Sequence, residues 1–218
     1  MKKITFILLI IFLIILTTFK VDANDITFPL LNKIIYIDPG HGGKDVGTSS
    51  RNIYEKDLNL QISLKLKERL EYLGATVFLT RNGDYDLSKP NALYRKKSDF
   101  DNRIILINNS NADLYLSIHQ NYYQESKYYG PQVFYTTNNE QNETLAKIIQ
   151  DNLNKLASTN RKIKKVPKTY MYDKLNPKGV LIECGFLSNN SELNNLKSEK
   201  YQISLADSIS SAIISFYN

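Results

Sequence analysis

The chain has two histidines in 218 residues, and each closes a short run rich in apolar residues. Lys33 to Ile37 (KIIYI) leads into Asp38-Pro39-Gly40, and His41 follows, set between Gly40 and Gly42-Gly43. An apolar run bounded by turn residues suits a strand buried on both faces. Glycines on both sides of one imidazole allow other backbone to approach it closely. Asp113 to His119 alternates, with Leu114, Leu116 and Ile118 on one face and Tyr115, Ser117 and His119 on the other. Both imidazoles are therefore expected at the carboxyl ends of strands. A fold that satisfies this must bring strand ends to a common edge.

The intervening segments read as helices. Glu55 to Leu73 carries Leu58, Ile62, Leu66, Leu70 and Leu73 at helical spacing and stops at Gly74, a residue suited to the C′ position. Glu55 falls on the same apolar stripe, so its carboxylate is expected to be paired or to bind a metal. Strands are expected over Ala75–Thr80, Gln132–Thr136 and Val180–Cys184, and helices over Asn91–Asn109, Asn139–Ser158 and Tyr201–Phe216, with a short one at Leu193–Leu196. Arg161 to Lys168 reads as a solvated basic loop, and Thr169 to Tyr172 as a short strand or an irregular piece. Strands alternating with helices imply an α/β fold, a single domain with a mostly parallel sheet. In such sheets the active crevice lies beyond the carboxyl ends of the strands.

The length suits one domain, and 42% hydrophobic with 23% charged residues suits a globular protein. One cysteine, Cys184, excludes an internal disulfide and a cysteine-rich zinc module. The net charge of +6 suits an acidic polymer, but the basic run at Arg161 to Lys168 holds no aromatic residue, so no nucleic-acid partner is expected. Lys2-Lys3, the apolar stretch Ile4 to Phe19 and Val21-Asp22-Ala23 read as an export signal. Residues 1–23 are thus a signal peptide or an N-terminal membrane anchor, the sole expected membrane contact, and residues 24–218 form the domain. The domain is expected to work outside the cytoplasm.

Glu183 lies in the apolar strand VLIEC, and Cys184 beside it points to the opposite face as a small buried group. His41, His119 and Glu183 all sit at strand ends, and Glu55 opens the helix after the first loop. Two imidazoles and a carboxylate are a common ligand set for catalytic zinc, and a further glutamate can move the proton of an attacking water. That assembly hydrolyses amides or esters. Alternatives stay open on the residues alone: a structural histidine, Glu55 complementing a helix dipole, or Glu183 paired with Arg161 or Arg103.

The blocks IDPGHGG (Ile37–Gly43), Glu55, SIHQN (Ser117–Asn121) and ECGFLSN (Glu183–Asn189) together resemble the signature of zinc-dependent N-acetylmuramoyl-L-alanine amidases. The resemblance spans about Lys33 to Tyr217. It implies a twisted six-stranded sheet flanked by helices, one zinc ion on His41, Glu55 and His119, and Glu183 as the catalytic glutamate. It implies hydrolysis of the amide between the lactyl group of N-acetylmuramic acid and L-alanine in peptidoglycan. Asn121 and Arg161 are the implied substrate contacts, although Lys162 stands where many family members have glycine. FDNR (Phe100–Arg103) and TNRK (Thr159–Lys162) resemble the sporulation branch, whose product in the spore cortex becomes the muramic δ-lactam read in germination. The expected partners are peptidoglycan and a protein that brings the enzyme to it. Rival readings are another exported zinc hydrolase, a carboxypeptidase or deacetylase, and a non-catalytic wall-binding module.

Overall fold

The computed structural model describes residues 27–166 and 169–218. The expected export segment, residues 1–23, lies outside them. No helix among the described residues is long and apolar enough to cross a membrane.

Strand β1 (Ile34–Pro39) is followed by a two-residue hairpin, β2 (Ser49–Ser50) and β3 (Ile53–Tyr54), which runs straight into α1 (Glu55–Tyr72). The hairpin turn Arg51-Asn52 has φ of 50° and 62°, the positive values that a tight two-residue connection demands. Then come β4 (Thr76–Leu79), α2 (Arg95–Asn108), β5 (Leu114–Asn121), β6 (Gln132–Tyr135) and α3 (Gln141–Ala157). The chain ends with β7 (Lys164–Lys165), a 3₁₀ turn (Tyr172–Lys174), β8 (Gly179–Phe186), α4 (Asn190–Lys197) and α5 (Glu199–Tyr217).

The main sheet has six strands in the order β4-β1-β5-β8-β6-β7. β4, β1, β5 and β8 are mutually parallel, whereas β6 runs antiparallel to β8 and β7 parallel to β6. The α/β, mostly parallel, single-domain reading is correct. One strand differs. The sixth strand is Lys164–Lys165, inside the run expected to be a loop; two exposed lysines on a two-residue edge strand deter pairing with another chain. Of the two readings of Thr169–Tyr172 the irregular one holds, and its end enters the 3₁₀ turn.

The two faces of the sheet are covered unequally. Ile35, Ile37, Leu116, Ile118, Val180, Ile182 and Cys184 pack with the inward sides of α1, α3, α4 and α5 into the main core. On α1, Leu58, Ile62, Leu66 and Leu70 are buried, each contributing about 1.5–3 kcal/mol relative to exposure. Gly74 takes φ +96° just past the end of α1, where an L side chain would be strained. The opposite face carries a smaller cluster of Tyr36, Ile107, Tyr115, Met171 and Leu175, roofed by α2. Helix α2 begins at Arg95, later than expected, and its most buried members include Asp99 and Arg103 as well as Ile107. One helix cannot cover this whole face. Beyond its reach Phe134, Leu181, His119 and Glu183 remain only partly buried, and they line a cavity of about 390 Å³.

Candidate metal centre and active site

The site starts from the turn after β1. His41 has φ +62°, a conformation that costs a non-glycine residue strain and persists only when its surroundings hold it. Arg103 Nη2 donates to His41 O at 2.7 Å, and Arg103 Nη1 donates to Pro39 O at 3.0 Å. Arg81 Nε and Nη2 donate to Pro39 O and Gly40 O, both at 2.9 Å. Two buried guanidinium groups thus hold three successive carbonyls. Gly40 has to be glycine, because a Cβ there would lie 2.2 Å from the His119 ring.

Glu55 is delivered by the β2–β3 hairpin, and its side chain is 3% exposed. Thr48 donates to Glu55 Oε2 from its backbone nitrogen at 2.8 Å and its hydroxyl at 3.0 Å, while Gln120 N donates to Oε1 at 3.1 Å. The same Oε1 lies 3.2 Å from His41 Nε2 and 3.0 Å from His119 Nδ1. Burial by itself would raise the carboxyl pKa, but the neighbouring His119 and His41 rings outweigh it and hold Glu55 far below the usual range. One ligand atom from each of His41, Glu55 and His119 can be chosen so that all lie within 4.8 Å of one another. The outer nitrogen of His41, Nδ1, meets Asp45 Oδ2 at 3.0 Å, the carboxylate partner common behind a metal-bound imidazole. Burial lowers the His41 pKa, yet Asp45 and Glu55 together push it up to about 9.

Glu183 stands beside His119 in the β5–β8 register and lines the same cavity. Its Oε2 is enclosed and has no hydrogen-bond partner among the described residues. Burial, then the charge of Glu55, push its carboxyl up to about 8. The alternative pairing with Arg161 or Arg103 is not made. Arg103 binds Asp38 and Asp99 at 2.5 and 2.9 Å, and Arg161 binds Tyr129 O and Gln132 Oε1 while its guanidinium covers the Phe186 ring at 4.8 Å. Cys184 faces the main core, opposite Glu183, as alternation requires.

The four residues singled out from the sequence therefore meet at one edge of the sheet. Asn121 and Arg161 do not line the cavity. Asn121 ends β5, where its side-chain oxygen accepts from Tyr122 N. Sequence reasoning missed Asp38, Asp45 and Tyr172, and it singled out Arg103 as a possible partner of Glu183 rather than of Asp38 and Asp99. Asp38 lies in the IDPGHGG block, and Asp99 with Arg103 shows the i, i+4 spacing of an ion pair. Nothing in the sequence signals that Tyr172 would reach His119.

The sequence pattern of the family described as N-acetylmuramoyl-L-alanine amidase matches residues 35–215 of the chain. The germination-specific N-acetylmuramoyl-L-alanine amidase of Bacillus subtilis (strain 168) is 39% identical over 225 residues, covering 100% of this chain and 95% of that protein. The solved CwlD amidase of Clostridioides difficile, in complex with the GerS lipoprotein, superimposes with a TM-score of 0.81 at 41% identity, covering 85% of this chain and 98% of that one. An N-acetylmuramoyl-L-alanine amidase from Clostridium difficile 630 gives 0.75 at 33% identity over 84% and 96% of the two chains.

Proposed function

The chain belongs to the N-acetylmuramoyl-L-alanine amidase family, and we propose that it is a zinc enzyme that strips peptide stems from spore-cortex peptidoglycan. As an amidase of peptidoglycan it cleaves the bond between the lactyl carbonyl of N-acetylmuramic acid and the nitrogen of L-alanine. Zinc dependence rests chiefly on one observation: two imidazole nitrogens and a buried carboxylate oxygen turned to one point beside a glutamate whose enclosed Oε2 has no hydrogen-bond partner among the described residues; the product that leads to muramic δ-lactam rests on the likeness to the germination-specific amidase.

The donor set fits zinc, since His₂Glu with an open side toward a cavity is a catalytic arrangement. His41, Glu55 and His119 would hold the ion. Bound there, it would supply Lewis-acid chemistry, polarising the scissile carbonyl and making water more acidic. The protein's own groups do the rest. Glu183, whose carboxyl is pushed up to about 8 in the metal-free protein, would in its ionised form take a proton from the attacking water and return it to the departing L-alanine nitrogen. The C–N bond breaks, the lactyl carbonyl gains oxygen, and the amine leaves neutral. Phe134 and Leu181 form the apolar wall that limits water around the reacting carbonyl. Asn121 and Arg161, outside the cavity, are proposed to touch the extended polymer rather than the scissile bond.

The substrate lies outside the membrane, which matches the export signal expected over residues 1–23, and we place the enzyme in the wall or cortex compartment. A protein partner for delivery or activation is proposed as well, supported by the complex of the CwlD amidase with a lipoprotein. The test is product analysis. Zinc-loaded enzyme acting on isolated cortex should generate new free L-alanine amines. A new carboxyl end within the peptide, or a free sugar amine, would replace this reading with a carboxypeptidase or a deacetylase. Full activity on cortex with nothing added would remove the partner.

A further inference from the structure

We infer that Asp38, Ser117 and Tyr172 form a one-way hydrogen-bond chain that sets His119 in its Nε2–H tautomer, leaving Nδ1 bare toward the metal point. The chain starts at a buried ion pair. Asp38 is 1% exposed and accepts from Arg103 Nη1 at 2.5 Å, Thr80 Oγ1 at 2.7 Å and Ser117 Oγ at 2.9 Å. Burial opposes its ionisation, but Arg103 and Thr80 hold its carboxyl below the usual range. An ionised carboxylate only accepts hydrogen bonds.

Each following link then has one solution. Ser117 has a single hydroxyl hydrogen, and Asp38 takes it. Ser117 Oγ also lies 3.0 Å from Tyr172 Oη, so here the serine accepts and the tyrosine donates. Tyr172 Oη lies 3.3 Å from His119 Nε2, and with its own hydrogen committed the phenol accepts. Nε2 therefore carries the hydrogen. In the neutral imidazole the other nitrogen is then a lone pair, and it lies 3.0 Å from Glu55 Oε1. Two acceptors face each other at that distance, and His41 Nε2 approaches the same oxygen at 3.2 Å. A cation held by these residues would resolve the arrangement. In the opposite tautomer Nδ1–H would bond Glu55 and close the position.

His41 reaches the same end by a shorter route, through Asp45 at 3.0 Å. On His119 the bias from Asp38 is relayed instead, through Ser117 and Tyr172. Ser117 and Tyr172 are positioning residues; neither is assigned contact with the scissile bond. This inference rests on the zinc reading above, and the experiment separates the two.

The first measurement needs no variant. Long-range ¹H–¹⁵N spectra of the zinc-loaded protein should show His119 bound through Nδ1 with hydrogen on Nε2. Coordination through Nε2 overturns the inference. The second is zinc affinity by chelator competition, where Tyr172→Phe should weaken binding about ten- to hundredfold while the metal-free protein stays folded. A lower melting temperature with unchanged affinity and unchanged tautomer would show a merely structural tyrosine and overturn the inference. Ser117→Ala breaks the same chain one link away, and serves if Tyr172→Phe does not fold. Wild-type protein that binds no zinc at all would end the zinc reading itself, a result distinct from tight binding unaffected by either substitution.

Discussion

Glu183→Gln separates the catalytic carboxylate from its burden on the fold. Glu183 has an enclosed oxygen without a partner among the described residues, and its carboxyl pKa is raised from 4.5 to about 8 by burial and by Glu55. The neutral form is the one the metal-free fold tolerates. Raised rather than depressed, this carboxyl imposes nothing below pH 4.5, an increasing cost as pH rises, and its full cost above about 8. At roughly 1.4 kcal/mol per pH unit, moving from 4.5 to 7 costs about 3 kcal/mol; water at the open side of the cavity reduces this to about 1–3 kcal/mol. Glutamine keeps the shape and cannot ionise. Metal-free Glu183→Gln should match wild type near pH 4.5 and exceed it at pH 7 to 8, by about 2–4 °C in Tm per kcal/mol. Calorimetric melting of both proteins at pH 5, 6, 7 and 8 reads the difference. The zinc-loaded variant should retain its metal while turnover falls about 10²–10⁴-fold. A stability difference that does not change with pH would refute the buried-carboxyl argument. Loss of zinc with full activity in the remaining loaded enzyme would reverse the assigned roles.

Two more outcomes follow from the metal centre. His41, pushed up to about 9, stabilises the metal-free protein below pH 6.5, and that contribution is lost as pH rises through about 9. Zinc must displace its proton, so binding at pH 7 should release about one proton and strengthen roughly tenfold per pH unit toward 9, as read by calorimetry in buffers of different ionisation enthalpy; binding heat independent of the buffer would contradict it. Gly40→Ala drives a methyl to within 2.2 Å of the His119 ring. Overpacking of about 1–3 kcal/mol would weaken zinc by about 5- to 150-fold, and unchanged affinity in chelator competition would count against so close an approach of loop and imidazole.

Periodicity exposed most of the architecture because burial on this sheet is one-sided or complete. The stripe Leu58, Ile62, Leu66, Leu70 gave α1 almost to its ends, and alternation in Leu114–His119 and Val180–Cys184 was enough to separate core-facing from cavity-facing residues. Where side chains do not face a core, the pattern fails. Lys164–Lys165 pairs through its backbone alone, so its lysines read as loop. Helix α2 hides Asp99 and Arg103 inside, an inversion of the usual apolar stripe that composition cannot reveal.

What the amino-acid order determined by itself was the set of chemically capable residues and the edge they share: two imidazoles at strand ends, a glutamate opening α1, and a glutamate within an apolar strand. Local pattern suffices there, because strand direction in a parallel sheet sends every carboxyl end the same way. What only the tertiary structure decided was how those groups are oriented. Arg103 reaches from α2 to the backbone of His41, and Tyr172 reaches from the 3₁₀ turn to His119, across 62 and 53 residues of chain. Hydrogen-bond direction depends on which donor meets which acceptor in space, and no spacing along the chain encodes that.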